Sequence, residues 1–156
     1  YNPSTKEITT FTSSVSDGQV LRIVMLPYSS IGQAATTNIT ASWVSIGSYS
    51  YTPVCNSSTI IVEYCTTYQM PGSNSDNFAS RILVNGASTI TQGFQFCSNS
   101  SSGRSGILFP LMGSITQNSG AAITIAVQGI RTAGDDTLTV YGDIGAWLKI
   151  TEIFNN

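Results

Sequence analysis

Hydrophobic and polar residues alternate with a period of two in short runs along the chain, and turn residues separate these runs. This pattern is typical of β-strands that bury one face, and no segment shows a convincing helical period. The sequence therefore predicts an all-β sandwich or barrel of nine or ten strands: Ile8–Val15, Gln19–Leu26, Asn38–Ile46, Thr59–Thr67, Arg81–Val84, Ser88–Cys97, Gly106–Thr116, Ala121–Ile130, Leu138–Tyr141 and Ala146–Ile153.

Turn residues fix several connections between these strands. Asp17-Gly18 and Asn85-Gly86 each lie between two β runs, and a type I′ hairpin turn needs positive φ at both of its central residues. Pro110 lies inside a predicted strand, and because proline cannot donate to a ladder, we expect an edge or a bulge there. Three longer connections remain: Gly47–Asn56, Tyr68–Ala79 and Ser98–Ser105.

The composition indicates one folded domain with an unusual surface. The 156 residues are 41% hydrophobic, which is ample for a core, but only 9% are charged. Ordinary soluble proteins have about 25% charged residues. Neutral polar side chains replace them, with 23 serines and 19 threonines. Low charge with many hydroxyls is typical of extracellular β proteins that form oligomers or bind neutral glycans.

Several classes of function are disfavoured by what the sequence lacks. Without histidine there is no imidazole base for a Ser-His or Cys-His nucleophile and no common transition-metal ligand. A carboxyl pair that includes Glu63 and Glu152 is conceivable but unmotivated, and Asp135-Asp136 fits a solvated turn better than a calcium loop. The net charge of −2, with six scattered basic residues, disfavours nucleic acid. No apolar run is long enough to span a membrane as a helix. We expect no enzyme activity, no metal and no cofactor.

Three cysteines, Cys55, Cys65 and Cys97, make an odd number. Cys55 and Cys65 can pair across a hairpin, but three buried small hydrophobic residues are the favoured interpretation.

Aromatic and polar residues in the predicted loops are the candidate ligand-binding residues. Loop aromatics can stack on the apolar face of a sugar, while amides and carboxylates bridge its hydroxyls. The alternative is that such tyrosines pack at strand ends with wet hydroxyls. The candidates are Tyr49, Tyr51, Tyr68, Asn74, Asp76 and Arg104.

The C-terminal half resembles a known family. The segments RILVNG, FPLMGSIT, AITIAVQG and LTV…GAWLKITEI, in this order between Arg81 and Ile153, are similar to the jelly-roll heads of phage tail fibres and bacterial collagen-like adhesins, which have a TNF-like fold. Related heads often carry GSHT where this chain has Ser119-Gly120-Ala121-Ala122. This departure does not change the expected fold. It does mean that no ligand site is inferred for this chain from the resemblance.

The resemblance implies a ten-strand antiparallel jelly-roll sandwich that assembles as a homotrimer, with both termini at the stalk end and loops at the far end. Residues 1–6 then form a linker from an upstream stalk, and residues 7–156 form the tip domain. The last strand is too apolar for an exposed edge, so we expect it in the centre of a sheet near the threefold axis. The residues expected at the axis or in the core are Trp147, Leu148 and Ile150.

The function expected from this fold is adhesion: the receptor-binding tip of a fibre on a cell or virion surface, which recognises a glycan or an outer-membrane receptor. The alternatives are a structural trimerisation or capsid module without ligand, and a monomeric lectin. Counting strands upward from the stalk places at the far end Ser16–Gly18, Gly47–Asn56, Asn85-Gly86, Gln117–Gly120 and Gly142–Gly145. One miscounted strand would instead place Tyr68–Ala79 and Ser98–Ser105 there.

Overall fold

The computed structural model describes residues 8–9, 16–70, 77–96, 104–134 and 138–156. These residues form eleven β-strands and one short 3-10 turn, Tyr28–Ile31. The strands are β1 (Ile8–Thr9), β2 (Val20–Pro27), β3 (Thr36–Ile39), β4 (Val44–Tyr51), β5 (Ser58–Met70), β6 (Asn77–Val84), β7 (Ser88–Phe96), β8 (Arg104–Gln117), β9 (Ile123–Ala133), β10 (Leu138–Tyr141) and β11 (Trp147–Phe154).

The strands form two antiparallel sheets. The seven-stranded sheet has the order β1-β2-β11-β5-β10-β3, in which β11 and β10 pair with one edge of β5, at residues 58–65 and 67–69, and β8 pairs with the opposite edge of β5. The four-stranded sheet has the order β4-β9-β6-β7. Buried hydrophobic side chains from both sheets make one continuous core. The prediction of an all-β antiparallel sandwich is therefore confirmed.

The core depends on strict alternation along the strands. On β11, Leu148 and Ile150 are buried whereas Trp147, Lys149 and Thr151 are only partly covered. Gly129 of β9 leaves room for core side chains, since an added Cβ would lie 2.8 Å from the ring of Phe78 on the neighbouring strand β6 and 3.1 Å from Ile39 on β3 of the other sheet. Glycine is required there because the facing core side chains fill the space.

Two details predicted from the sequence are confirmed. The last strand is central, because β11 pairs with β2 on one side and with β5 on the other. The ladder between β5 and β8 is irregular near Pro110: Tyr64 faces Leu111 and Thr66 faces Leu108, so one residue of β5 opposes two of β8. This is the geometry of a β-bulge, which accommodates a residue that cannot donate a ladder hydrogen bond.

Several predicted boundaries are wrong. The run Asn38–Ile46 belongs to two strands, β3 and β4, with a break at residues 40–43. Part of the predicted loop Gly47–Asn56 is strand, because β4 continues to Tyr51. The predicted loop Tyr68–Ala79 is also shorter at both ends, since β5 extends to Met70 and β6 begins at Asn77.

The two predicted hairpin turns differ in geometry. Asn85 and Gly86 both have positive φ, 53° and 75°, as a type I′ turn requires. At the first turn only Gly18 has positive φ, so the type I′ prediction for Asp17-Gly18 is wrong. That turn is closed by the N–H of Gln19, which donates to the carbonyl of Ser16.

The C-terminus meets the first turn at one end of the sandwich. The N–H of Asn156 donates to the carboxyl group of Asp17 at 3.0 Å, and the N–H of Gly18 donates to the carbonyl of Phe154 at 2.9 Å. The expectation that the C-terminus lies opposite Ser16–Gly18 is therefore wrong. Gly142–Gly145 precedes Trp147 at the other end of β11, so it also does not lie with that turn.

Candidate functional site

Tyr49 and Tyr51 lie in strand β4 and not in a loop, because the segment Ser48-Tyr49-Ser50-Tyr51 alternates like its neighbours. The two serines are exposed, whereas Tyr49 packs half-buried against the core and Tyr51 is 2% exposed. A tyrosine buried to this extent offers no ring face to a sugar. The prediction that Tyr51 binds a ligand is therefore wrong.

Tyr51 instead holds a buried acid. Its hydroxyl donates to Oε2 of Glu152 at 2.5 Å, and Glu152 is fully buried. The N–H groups of Val54 and Cys55 also donate to this carboxyl group, at 2.9 and 3.3 Å. Burial, followed by the hydrogen bond to Glu152, raises the pKa of the Tyr51 hydroxyl far above its ordinary value. Glu152 thus fixes the connection between β4 and β5 from inside the sandwich.

Arg22 completes the surroundings of this buried acid. Arg22 faces Glu152 across the ladder between β2 and β11, and its guanidinium lies 5.8 Å from the centre of the Tyr51 ring. Its Nη1 also donates to the carbonyl of Thr52 at 3.4 Å. A cation beside a buried acid offsets part of the cost of burying its charge. The arrangement is a structural cluster that faces the interior.

Glu63 and Glu152 are separated by the sheet. Glu63 lies on the outer face, where Nζ of Lys149 is 2.5 Å from its carboxyl group. Glu152 points into the core. The two acids therefore do not face one another across a cleft.

The remaining predicted ligand residues are not brought together by the described structure. Tyr68 is 9% exposed and packs against Phe78, with ring centres 6.4 Å apart. Arg104 begins β8 opposite Met70. Asn74 and Asp76 lie outside the described residues. Because Tyr68 is nearly buried, its prediction as a sugar platform is wrong.

The three residues expected at a trimer axis or in the core divide between two faces of β11. Leu148 and Ile150 are buried in the core, as predicted. Trp147 is partly exposed and points outward, so of its two expected positions it does not occupy the core. Of the three, only Trp147 is placed where another copy of the chain could contact it.

The outer face of β2, β11, β5 and β8 carries a group of hydrophobic side chains among the hydroxyls of Thr59, Ser114, Thr116 and Thr151. Cross-strand partners lie on the same side of a sheet, and here they bring apolar side chains together around the Lys149–Glu63 pair. Met112, at 63% exposure, is the most open of them. We call this surface the apolar face: Ile23, Met25, Ile61, Met112, Trp147 and Ile153.

The outer face of the four-stranded sheet is polar along β4 and part of β9. Exposed hydroxyls lie along β4 and β9, and the register places Gln128 between Ser45 and Arg81. The guanidinium of Arg81 lies 3.9 Å from the centre of the Trp43 ring and donates two hydrogen bonds to Gln128. We call this surface the polar face: Ser45, Ser48, Ser50, Arg81, Thr124 and Gln128. The sequence analysis missed Trp43, Arg81 and Gln128, since nothing in their local patterns indicates that three segments bring them together.

Cys55 and Cys65, the two cysteines that the structure describes, do not form a disulfide with one another. Both are half-buried, and Cys97 lies outside the described residues. The Sγ of Cys55 donates to the carbonyl of Ser57 at 2.9 Å. Burial raises the pKa of the Cys65 thiol. Cys55 and Cys65 are therefore not bonded to each other. The prediction that they are buried is only partly correct, because both are half-buried.

The described part of the chain has neither a metal-binding cluster nor a helix that could span a membrane. It contains no cluster of three or more acidic, cysteine or histidine side chains that could hold a metal ion. Nor does any helix in this part have the length and hydrophobicity needed to cross a membrane.

Comparisons with known proteins give no family. No family description and no curated protein matches the sequence. Among solved structures, the chain is similar to a structure of infectious bursal disease virus, Gx strain. The sequence identity is 10%, the TM-score is 0.42, and the match covers 94% of this chain. It is also similar to the VP2 subviral particle of the same virus, with 9% identity, a TM-score of 0.41 and coverage of 96%. The chain spans about two fifths of both structures, 41% and 43%.

Proposed function

We propose that this domain is the receptor-binding tip of a homotrimeric fibre on a cell or virion surface. The observation that carries the proposal is the contrast between the two outer faces of the sandwich. The apolar face is suited to burial between copies of the chain, and the polar face is suited to contact with a hydrated glycan.

The topology supports a jelly roll as the architecture of this tip. Leaving aside β1, β3 and β10, the sheets have the orders β2-β11-β5-β8 and β4-β9-β6-β7. Successive strands alternate between the sheets except for the β6–β7 hairpin, as in an eight-stranded jelly roll made of two Greek keys. The TNF-like heads that the sequence resembles are sandwiches of this kind.

Self-association through the apolar face follows from its size and charge. Four strands about 4.8 Å apart, with eight residues of about 3.3 Å each, give a face of roughly 400 Å² in plan. Each partner of a stable interface buries roughly 800 Å², so the face supplies a substantial part of such an area. The charges of Lys149 and Glu63 already neutralise one another there. A second copy can therefore cover the face without stranding a charge.

The expected occupant is another copy of the chain, and the expected assembly has three times the mass of 16.5 kDa. Sedimentation equilibrium tests this directly. Met112→Lys adds a second cation opposite Glu63, which already pairs with Lys149, so the apolar face gains a net positive charge and the variant should be a folded monomer. Ser48→Lys is the matched control, because it adds the same charge to an exposed strand position on the polar face. A wild-type mass of one chain would contradict the proposal.

Binding is tested by screening the wild-type trimer on an array of cell-surface glycans. Three linked copies raise the avidity of weak sites, so the trimer should give signals that the Met112→Lys monomer does not. A trimer that binds no glycan and attaches to no cell would favour the structural module without ligand.

A further inference from the structure

Arg81 is held in a fixed position by two neighbours on the polar face. Its Nε and Nη2 donate to Oε1 of Gln128 at 3.0 and 2.7 Å. Its guanidinium carbon lies 3.9 Å from the centre of the Trp43 ring. The stacking restrains the plane of the guanidinium, and the two hydrogen bonds restrain the direction in which its free edge points. This arginine is therefore set in place before any ligand arrives.

The charge of Arg81 is not neutralised by these contacts. Gln128 is an uncharged amide and Trp43 an uncharged ring, so both position the cation without cancelling its charge. Among the described residues, no carboxyl group is paired with Arg81. The described acids occupy other places: Glu152 is buried, Glu63 pairs with Lys149 on the apolar face, and Asp17 and Asp143 lie in turns.

The free donors of Arg81 define what it can bind. Gln128 takes Nε and one proton of Nη2, which leaves the two protons of Nη1 and the second proton of Nη2. Two of these protons form a planar fork that matches two oxygens of a carboxylate or a sulfate. Gln128 lies beside Ser45, an exposed hydroxyl that can bond neutral sugar groups next to the anion.

We propose that Arg81, stacked on Trp43 and oriented by Gln128, is the binding site for an anionic oxygen group of a glycan. The glycan part of this inference rests on the proposed function. The anionic part rests on the fixed and unneutralised guanidinium alone. The shared chemistry is a planar or tetrahedral group with two free oxygens, which a glycan carries as a sugar carboxylate or as a sulfate ester.

Three immobilised sugars with one backbone separate the possibilities: lactose, 3′-sialyllactose and 3′-sulfolactose. Their affinities for the wild-type trimer are measured by surface plasmon resonance. Arg81→Gln removes the charge, Arg81→Lys keeps the charge without the fork, and Arg131→Gln removes one positive charge elsewhere as the control. Thermal melting of each variant verifies that it is folded.

We expect at least one of the two anionic sugars to bind more tightly than lactose. Arg81→Gln should lower that affinity about tenfold or more, the effect of losing a charge-assisted hydrogen bond. Arg81→Lys should give an intermediate loss, and Arg131→Gln should have little effect. A preference for the sialylated sugar identifies a carboxylate as the ligand, and a preference for the sulfated sugar identifies a sulfate.

The inference is overturned if Arg81→Gln leaves the affinity for both anionic sugars unchanged, or if it weakens lactose equally. Strong binding of neutral glycans that is insensitive to Arg81 would overturn this inference and leave the proposed function standing. If instead the chain sediments as a monomer and binds an anionic sugar through Arg81, this inference stands and the proposed function as a trimeric tip is contradicted.

Discussion

The hydroxyl of Tyr51 donates a hydrogen bond of 2.5 Å to Glu152, which lies 101 residues later in the chain. Both side chains are buried, and Glu152 also accepts hydrogen bonds from the connection between β4 and β5. One buried acid thereby joins the four-stranded sheet, the central strand of the other sheet and a loop between them. Because a buried acid needs several donors, each of these bonds should matter to stability.

Tyr51→Phe should destabilise the domain by about 1.5–3 kcal/mol, the range for a hydrogen bond to a charged group. The loss follows from leaving Glu152 with fewer donors in the interior. Tyr49→Phe is the matched control, because Tyr49 lies on the same strand and its hydroxyl has no hydrogen-bond partner among the described residues. Urea unfolding of the three proteins measures the difference. Equal stability of both variants and the wild type would show that the bond contributes nothing.

Stability should also fall in alkaline solution, above about pH 10, the ordinary pKa of tyrosine. Burial raises the pKa values of Tyr51 and Tyr64 well above this value in the folded state. The unfolded chain therefore loses these protons first, so the folded state is fully stabilised below pH 10 and loses stability as the pH rises further.

Tyr64→Phe removes the contribution of one of these two tyrosines to the pH dependence of stability. Its hydroxyl donates to Gln33 at 3.0 Å in the core, so the variant should be less stable at pH 8. Between pH 10 and 11.5, however, its stability should fall less steeply than that of the wild type, by up to about 1.4 kcal/mol per pH unit. Parallel curves from urea unfolding would contradict this prediction.

Trp147 and Leu148 are adjacent in sequence but lie on opposite faces of β11, so their substitutions should have different effects. Leu148→Ala empties part of the core and should cost about 2–5 kcal/mol. Trp147→Ser should cost less in a single folded copy, because the ring is only partly buried, but it should weaken association. Sedimentation and thermal melting at two protein concentrations separate the effects. A Trp147→Ser variant that remains fully trimeric would remove Trp147 from the interface.

Gly129→Ala tests how tightly core side chains pack against β9. The added Cβ would lie 2.8 Å from Phe78 and 3.1 Å from Ile39, so the core must shift to admit it. Overpacking of this kind should cost about 1–3 kcal/mol. Thermal melting measures the loss, and an unchanged melting temperature would mean that the core adjusts freely.

Period-two alternation predicted the fold class because each strand buries every second residue, and local chemistry predicted the Asn85-Gly86 turn and the bulge at Pro110. The same rule, applied further, would have placed Tyr49 and Tyr51 in a strand. Tyrosine and serine mixed with glycine were interpreted as a loop, because a tyrosine can be either a core residue or a ligand platform. Only its depth of burial decides between these roles.

The clusters around Glu152 and around Arg81 could not be predicted from the sequence, for a different reason. Glu152 meets Tyr51, and Arg81 meets Trp43 and Gln128, only after distant strands have paired in a particular register. A one-residue slip in register would move any of these side chains to the other side of its sheet. Local patterns do not specify register between strands that are far apart in the chain.

The central position of β11 has a consequence for synthesis of the protein in the cell. While a ribosome is still making residues 147–154, β2 and β5 have no strand between them, and both expose unpaired backbone groups. The nascent chain also lacks Glu152, so the β4–β5 connection has no anchor. The sandwich can therefore close only after its last strand has left the exit tunnel. Until then, chaperones and neighbouring nascent chains, including further copies made on the same messenger, have access to those edges.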